Sequence, residues 1–188
     1  MATAESPPLL ILGLGNLLCG DDGLGVVAIE ELQRRYEVPD RVRVLDGGTL
    51  GLSLLTWFEA SQDVVLVDAI QADQPVGSLV RLAGEDVAPA VRSRLSVHQI
   101  GVADLLDGLR LTGRLPGSIT LLGLVPGTLE LGLKRSPEVE AALPDLVDEV
   151  AAEAGRLGFE LRRRRNDEIP AARAILAGHA GPAGLGVL

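Results

Sequence analysis

The stretch LLILGLGNLLCGDDGLG, residues 9–25, decides the fold of this 188-residue chain. It opens on a continuous apolar run, Leu9–Leu14, which is typical of a strand buried on both faces of a sheet. A glycine-rich turn follows, and the pair Asp21 and Asp22 then precedes a pattern that predicts an amphipathic helix over residues 22–36. Either aspartate is a suitable N-cap for that helix. The stretch is therefore a strand–loop–helix unit, the building block of an α/β protein.

The alternation of strand and helix patterns continues along the chain. The further strand candidates are residues 42–45, 64–67 and 119–124, with a weaker one at residues 78–82. The further helical patterns cover residues 51–59, 96–109 and 137–157. We therefore predict an α/β fold in three layers, in which a twisted, mainly parallel sheet of about five strands carries helices on both faces.

Length and composition predict one domain followed by a tail. Residues 1–162 have the size and patterning of a single α/β domain. Residues 163–188 continue a run of four arginines, residues 162–165, and are then rich in Ala and Gly. We expect this tail to be mobile, and we interpret the arginine run as a solvated end.

Charge and composition exclude several classes of protein. The net charge of −9 disfavours broad nucleic-acid binding, because a phosphate backbone would repel it. Cys19 is the one cysteine, so no intrachain disulfide can form. No apolar run approaches the ~20 residues of a membrane span, and the N-terminus lacks the basic region of a signal peptide. We expect a cytoplasmic protein that binds no membrane.

Three predicted strands deliver an aspartate to the same edge of the sheet. Asp22 follows the first strand, and Asp46 and Asp68 end the next two. Ligands of open α/β sheets bind at this carboxyl edge. Neighbouring carboxylates repel one another unless a metal ion, a basic group or a shared proton intervenes. His98 lies in the first turn of its predicted helix, where the helix dipole favours the neutral imidazole that binds metals.

Asp22, Asp68 and His98 would form an oxygen, oxygen and nitrogen donor set. Such a set suits Ni, Zn, Fe or Mn better than a soft metal. Each residue alone also has an ordinary explanation: Asp22 as a helix cap, Asp46 and Asp68 as turn formers, and His98 as a packing residue. The metal-site hypothesis depends on their convergence, and therefore on the strand order.

A dinucleotide site is the main alternative. Gly13 and Gly15 follow the first strand and Asp46 ends the second, as in the nucleotide-binding fingerprint. However, Leu18 stands where the third glycine should be, and two carboxylates before the helix would repel a pyrophosphate. An oxidoreductase of the Rossmann type stays open as an alternative on these residues.

Several ordered blocks resemble the hydrogenase maturation proteases. These endopeptidases trim the C-terminal extension from the large-subunit precursor of nickel–iron hydrogenases. The matching blocks are residues 13–25, 45–49, 65–69, 96–99 and 123–139. The similarity covers about residues 9–162, and it implies a protease-like domain and a metal-dependent endopeptidase, which is a hydrolase.

The resemblance also implies roles for individual residues. The family's metal-binding positions fall on Asp22, Asp68 and His98, although the family pattern has glutamate where this chain has the shorter Asp22. Asp21 is then a competing ligand. The resemblance implies that the metal is nickel, supplied by the precursor and used as a recognition handle. Asp46 would be a general base or would orient a loop. A non-catalytic nickel chaperone using the same cleft is a further alternative.

Overall fold

The computed structural model describes residues 9–92, 97–165 and 168–169, without the side chains of residues 92 and 97–100. The strands are β1 (Leu9–Leu14), β2 (Tyr36–Glu37), β3 (Val42–Gly48), β4 (Asp63–Ala69), β5 (Leu79–Ala83), β6 (Ser118–Leu124) and β7 (Arg162–Arg163). The helices are α1 (Leu24–Arg35), α2 (Leu55–Glu59), α3 (Val87–Arg92), α4 (Val97–Thr112) and α5 (Pro137–Arg156). Short 3-10 turns cover Gly20–Gly23, Gly51–Leu54 and Gly84–Asp86.

The main sheet has five strands in the order β3-β1-β4-β6-β5. Its first four strands are parallel, and β5 is an antiparallel edge strand. Each of the five predicted strands is present, and β1 lies between β3 and β4. This order confirms the predicted mainly parallel sheet and makes the three aspartate-bearing strands neighbours.

Two apolar clusters sandwich the sheet, which confirms the three layers. On one face, Ile11 and Val65 pack with residues of α1 and α5. On the other face, Leu12 and Leu66 pack with residues of α3 and α4. Because both faces of β1 and β4 are buried, these strands read as continuous apolar runs rather than alternating ones.

Glycines let α1 approach the sheet closely. A Cβ atom built on Gly25 would lie 2.1 Å from the carbonyl oxygen of Val67 in β4. A Cβ atom built on Gly13 would lie 2.4 Å from the carbonyl oxygen of Gly25. No side chain fits at either position, so the first turn of α1 rests directly on β1 and β4.

The start of α1 differs from the sequence prediction. The N-cap is Gly23, without a side-chain hydrogen bond, and the helix begins at Leu24. Asp21 and Asp22 lie before it, in the turn Gly20–Gly23. The capping interpretation of these two aspartates is therefore wrong, because both carboxylates accept hydrogen bonds from elsewhere.

The arginine run belongs in part to the folded domain. The short strand β7 pairs antiparallel with β2, an association that the sequence did not predict. Arg162 and Arg164 form ion pairs with Glu37, and Arg163 pairs with Asp148. The predicted tail from residue 170 onward lies outside the described residues.

Candidate active site at the carboxyl edge of the sheet

Two buried aspartates lie at the carboxyl edge of neighbouring strands. Asp22 and Asp68 are each 4% exposed. The backbone N–H of Asn16 donates to Asp22 Oδ2 at 3.0 Å, and the N–H of Ala69 donates to Asp68 Oδ1 at 2.7 Å. Each bond holds one carboxylate oxygen, so both side chains have a set orientation.

The backbone brings the segments of these two aspartates together. The turn Gly20–Gly23, which holds Asp22, contacts β4, which holds Asp68. Gly25, which follows that turn in α1, approaches Val67 of β4 so closely that no side chain fits between them. The predicted convergence of Asp22 and Asp68 on one edge thus has a direct structural basis.

Asp21 has a different environment from its neighbour. It is fully buried, and its carboxylate accepts hydrogen bonds from the N–H groups of Gly127, Thr128 and Ser136 and from Ser136 Oγ. Burial alone would raise the pKa of the Asp21 carboxyl, but these hydrogen bonds outweigh it and hold the pKa below its usual range. Asp21 therefore fastens the turn Gly20–Gly23 to the loop after β6, and its oxygens are engaged there.

Helix α4 begins near the same edge. His98 lies in its first turn, as predicted, but its side chain falls outside the described part of the structure. A Cβ atom built on Gly101 would lie 2.7 Å from Cα of Gly51, which follows β3 at the carboxyl edge. This backbone contact places the N-terminal turn of α4 at that edge, on the face of the sheet that Asp68 shares with Leu66.

Asp46 points toward the other face of the sheet. Its register partner in β1 is Gly13, and a Cβ atom built on Gly13 would meet α1. Asp68 follows Leu66 by two residues in β4, so the two side chains lie on the same face of the sheet, where Leu66 packs with α4 residues. The structure therefore places Asp46 on the same edge as Asp68 but on the α1 side.

The two carboxylates can bind a cation, and carboxylate oxygens alone suit hard ions such as Mg²⁺, Ca²⁺ or Mn²⁺. Among the described side chains, no three metal-binding residues come together in one group, and His98 is outside that part of the chain. The contribution of Ser136 was missed by the sequence analysis. No local pattern indicates it, because 115 residues separate it from Asp21.

The comparisons with known proteins agree with this geometry. The family model described as hydrogenase maturation protease matches residues 26–153, more than half of the chain. The chain belongs to the hydrogenase maturation protease family. Membership makes it a protease, and therefore a hydrolase, as the sequence analysis expected.

Two members of the family are similar to this chain over most of their length. The hydrogenase 2 maturation protease of Escherichia coli K12 is 37% identical over 153 residues, which is 81% of this chain and 93% of that protein. The HupD hydrogenase expression/formation protein of Bradyrhizobium diazoefficiens is 36% identical over 165 residues, or 86% of this chain and 85% of that one.

Solved structures of hydrogenase maturation proteases share the fold. The E. coli endopeptidase HybD matches with a TM-score of 0.79 and 36% identity, over 84% of this chain and 98% of that one. HybD from Thermococcus kodakarensis matches with a TM-score of 0.64 and 29% identity, over 78% of this chain and 99% of that one. Within the described ranges, no helix has the length and apolar character needed to cross a membrane.

Proposed function

We propose that this protease removes the C-terminal extension from the nickel-loaded large-subunit precursor of a nickel–iron hydrogenase. The observation that carries the proposal is the pair of buried carboxylates, Asp22 and Asp68, at the edge where α4 begins. The proposal places this reaction in the cytoplasm, where the precursor would receive its nickel before cleavage.

Nickel on the precursor would be the recognition handle. Asp22, Asp68 and His98 would supply two oxygens and one nitrogen, a set that suits a borderline divalent ion. Three protein ligands leave positions for ligands from the substrate. The enzyme would then distinguish a loaded precursor from an empty one, because only the loaded form can complete the coordination.

Asp46 is the proposed general base. It lies on the α1 side of the edge. A Cβ atom built on Gly48 would lie 3.4 Å from Asp46 Oδ1. Asp46→Asn should lower kcat, because the amide cannot accept a proton. Asp46→Glu keeps a group that can accept a proton and should retain more activity; equal losses in both variants would mean that Asp46 orients its loop instead.

Intact mass spectrometry tests the function directly. A purified large-subunit precursor is incubated with the enzyme, once loaded with nickel and once without it. Loss of a C-terminal peptide from the loaded form alone is the expected result. Cleavage of both forms would retain the protease and reject nickel as the handle. Nickel binding without cleavage of either form would favour the chaperone alternative.

The two histidines of the chain offer a matched pair of variants. His98→Ala should abolish processing, because it removes the only nitrogen ligand of the proposed set. His179→Ala should process the precursor like the wild type, because His179 has no counterpart in the matched blocks. Normal processing by His98→Ala would reject the proposed nickel site.

A further inference from the structure

Four exposed leucines lie beside the proposed active site. Leu18 is 52% exposed, Leu129 43%, Leu131 86% and Leu133 56%. We call these four residues the leucine platform. Large apolar side chains that are exposed close together along the chain suggest a surface that contacts a partner.

The leucines of the platform lie on two backbone segments, residue 18 and residues 129–133, that also hold the aspartates in place. The N–H of Gly132 donates to the carbonyl oxygen of Leu18 at 2.8 Å, and the N–H of Gly20 donates to that of Gly132 at 2.7 Å. The N–H of Asp21 also donates to the carbonyl oxygen of Thr128 at 3.0 Å. The two segments of the leucine platform are therefore hydrogen-bonded to each other and to the turn Gly20–Gly23, which contains Asp22.

A groove beside the leucine platform includes one of its leucines, Leu129. It has a volume of about 310 Å³ and is lined by Gln71, Pro126, Gly127, Thr128, Leu129 and Glu130. Gln71 lies two residues after the end of β4, so the groove is at the carboxyl edge of the sheet. Gly127 and Thr128 of its lining donate hydrogen bonds to Asp21, the neighbour of Asp22.

We infer that the leucine platform docks the protein substrate, through an apolar segment of the precursor next to the bond that is cut. This inference rests on the proposed function. The precursor is the occupant because the groove borders both Leu129 and the loop that is hydrogen-bonded to Asp21, next to the proposed ligand Asp22. Covering exposed leucines with a partner removes apolar surface from water, which lowers the free energy of the complex. Glu130 in the groove would repel an acidic segment, so the docking segment should be neutral or basic.

Leu131 and Leu111 provide a test with a matched control. Leu131 is 86% exposed on the platform, and Leu111 is 88% exposed in the last turn of α4, far along that helix from its N-terminus. Calorimetry would measure binding of the nickel-loaded precursor, with its C-terminal extension intact, to wild type, Leu131→Glu and Leu111→Glu. Leu131→Ser removes the apolar side chain without adding charge.

The inference predicts that Leu131→Glu weakens binding at least tenfold and raises KM while kcat stays within twofold of wild type. Leu131→Ser should show a smaller loss in the same direction, and Leu111→Glu should bind like the wild type.

Four results would overturn the docking role: a wild type that does not bind the precursor, wild-type binding by Leu131→Glu, an equal loss in Leu111→Glu, or a wild-type dimer that Leu131→Glu dissociates. The last result would assign the leucines to a second copy of the chain. Binding that depends on Leu131 without any cleavage would instead retain the docking surface and reject the proposed function.

Discussion

Buried carboxylates occur in two regions of this protein, and their partners differ. Glu153 in α5 is 1% exposed and is held by charged groups. Arg81 in β5 donates to both of its oxygens, at 2.8 and 3.0 Å, and Arg156 and Thr120 donate at 2.7 and 2.9 Å. Burial would raise the pKa of Glu153, but these donors outweigh it and lower the pKa to about 2.

At the carboxyl edge, backbone N–H groups orient the carboxylates. Asn16 and Ala69 each hold one oxygen of Asp22 and Asp68. The proposed function gives the two regions different purposes: Glu153 joins α5 to β5 and β6, whereas Asp22 and Asp68 would bind the nickel of the precursor.

The largest expected effect separates these purposes. Asp68→Asn keeps the size and the hydrogen-bond acceptor but removes the negative charge. We expect kcat/KM for the precursor to fall by more than about a hundredfold, because even indirect partners of a metal change its binding by 10–100-fold. The circular dichroism spectrum of Asp68→Asn should match that of the wild type, which would separate a loss of activity from a loss of the fold. An active Asp68→Asn enzyme would remove the distinction between the two regions.

Asp21 is the structural member at the carboxyl edge. Asp21→Ala leaves the N–H groups of Gly127, Thr128 and Ser136 without their acceptor, so the free energy of unfolding should fall by about 3 kcal/mol. Urea denaturation followed by circular dichroism would measure this. Asp21→Asn is the control, since it keeps one acceptor oxygen and should lose less. Unchanged stability in Asp21→Ala would show that the loop after β6 is held in another way.

Glu153 should make folding sensitive to acid. Its pKa is about 2 in the folded chain and 4.5 ordinarily, so its contribution is complete above about pH 4.5 and is lost as the pH falls toward 2. We expect about 2 kcal/mol, because half-exposed arginines are partly screened by water. Glu153→Gln should show a smaller loss of stability between pH 5 and about pH 2.5. If the free energies of unfolding of the two proteins fall in parallel with pH, the contacts of Glu153 do not make folding sensitive to acid.

The smallest effect is expected at Asp22. Asp22→Glu adds one methylene group and keeps the charge, and glutamate is the residue that the family resemblance leads us to expect at this position. Processing of the precursor should stay within about tenfold of wild type, which is 1.4 kcal/mol in activation free energy. Asp22→Asn should lose far more. Equal losses in both variants would mean that shape, rather than charge, matters at Asp22.

Most of the fold was predicted from local sequence patterns. The runs of β1 and β4 are apolar because both faces are covered, and this is visible in a few consecutive residues. The pairing of β7 with β2 was not predicted, because Arg162 and Glu37 are 125 residues apart and their strands have only two residues each. Helix α3 was also missed, since its six residues are too few to show a helical period.

For the candidate site, the sequence alone placed aspartates at three strand ends and His98 in the first turn of a helix, because these follow from local order along the chain. Only the tertiary structure decided what surrounds each aspartate. It gave Asp21 its donors from the loop after β6, and it placed Asp46 and Asp68 on different faces through the strand register. Two adjacent aspartates look alike in a sequence, but the direction of a side chain, and therefore its partners, depends on distant segments that only folding brings together.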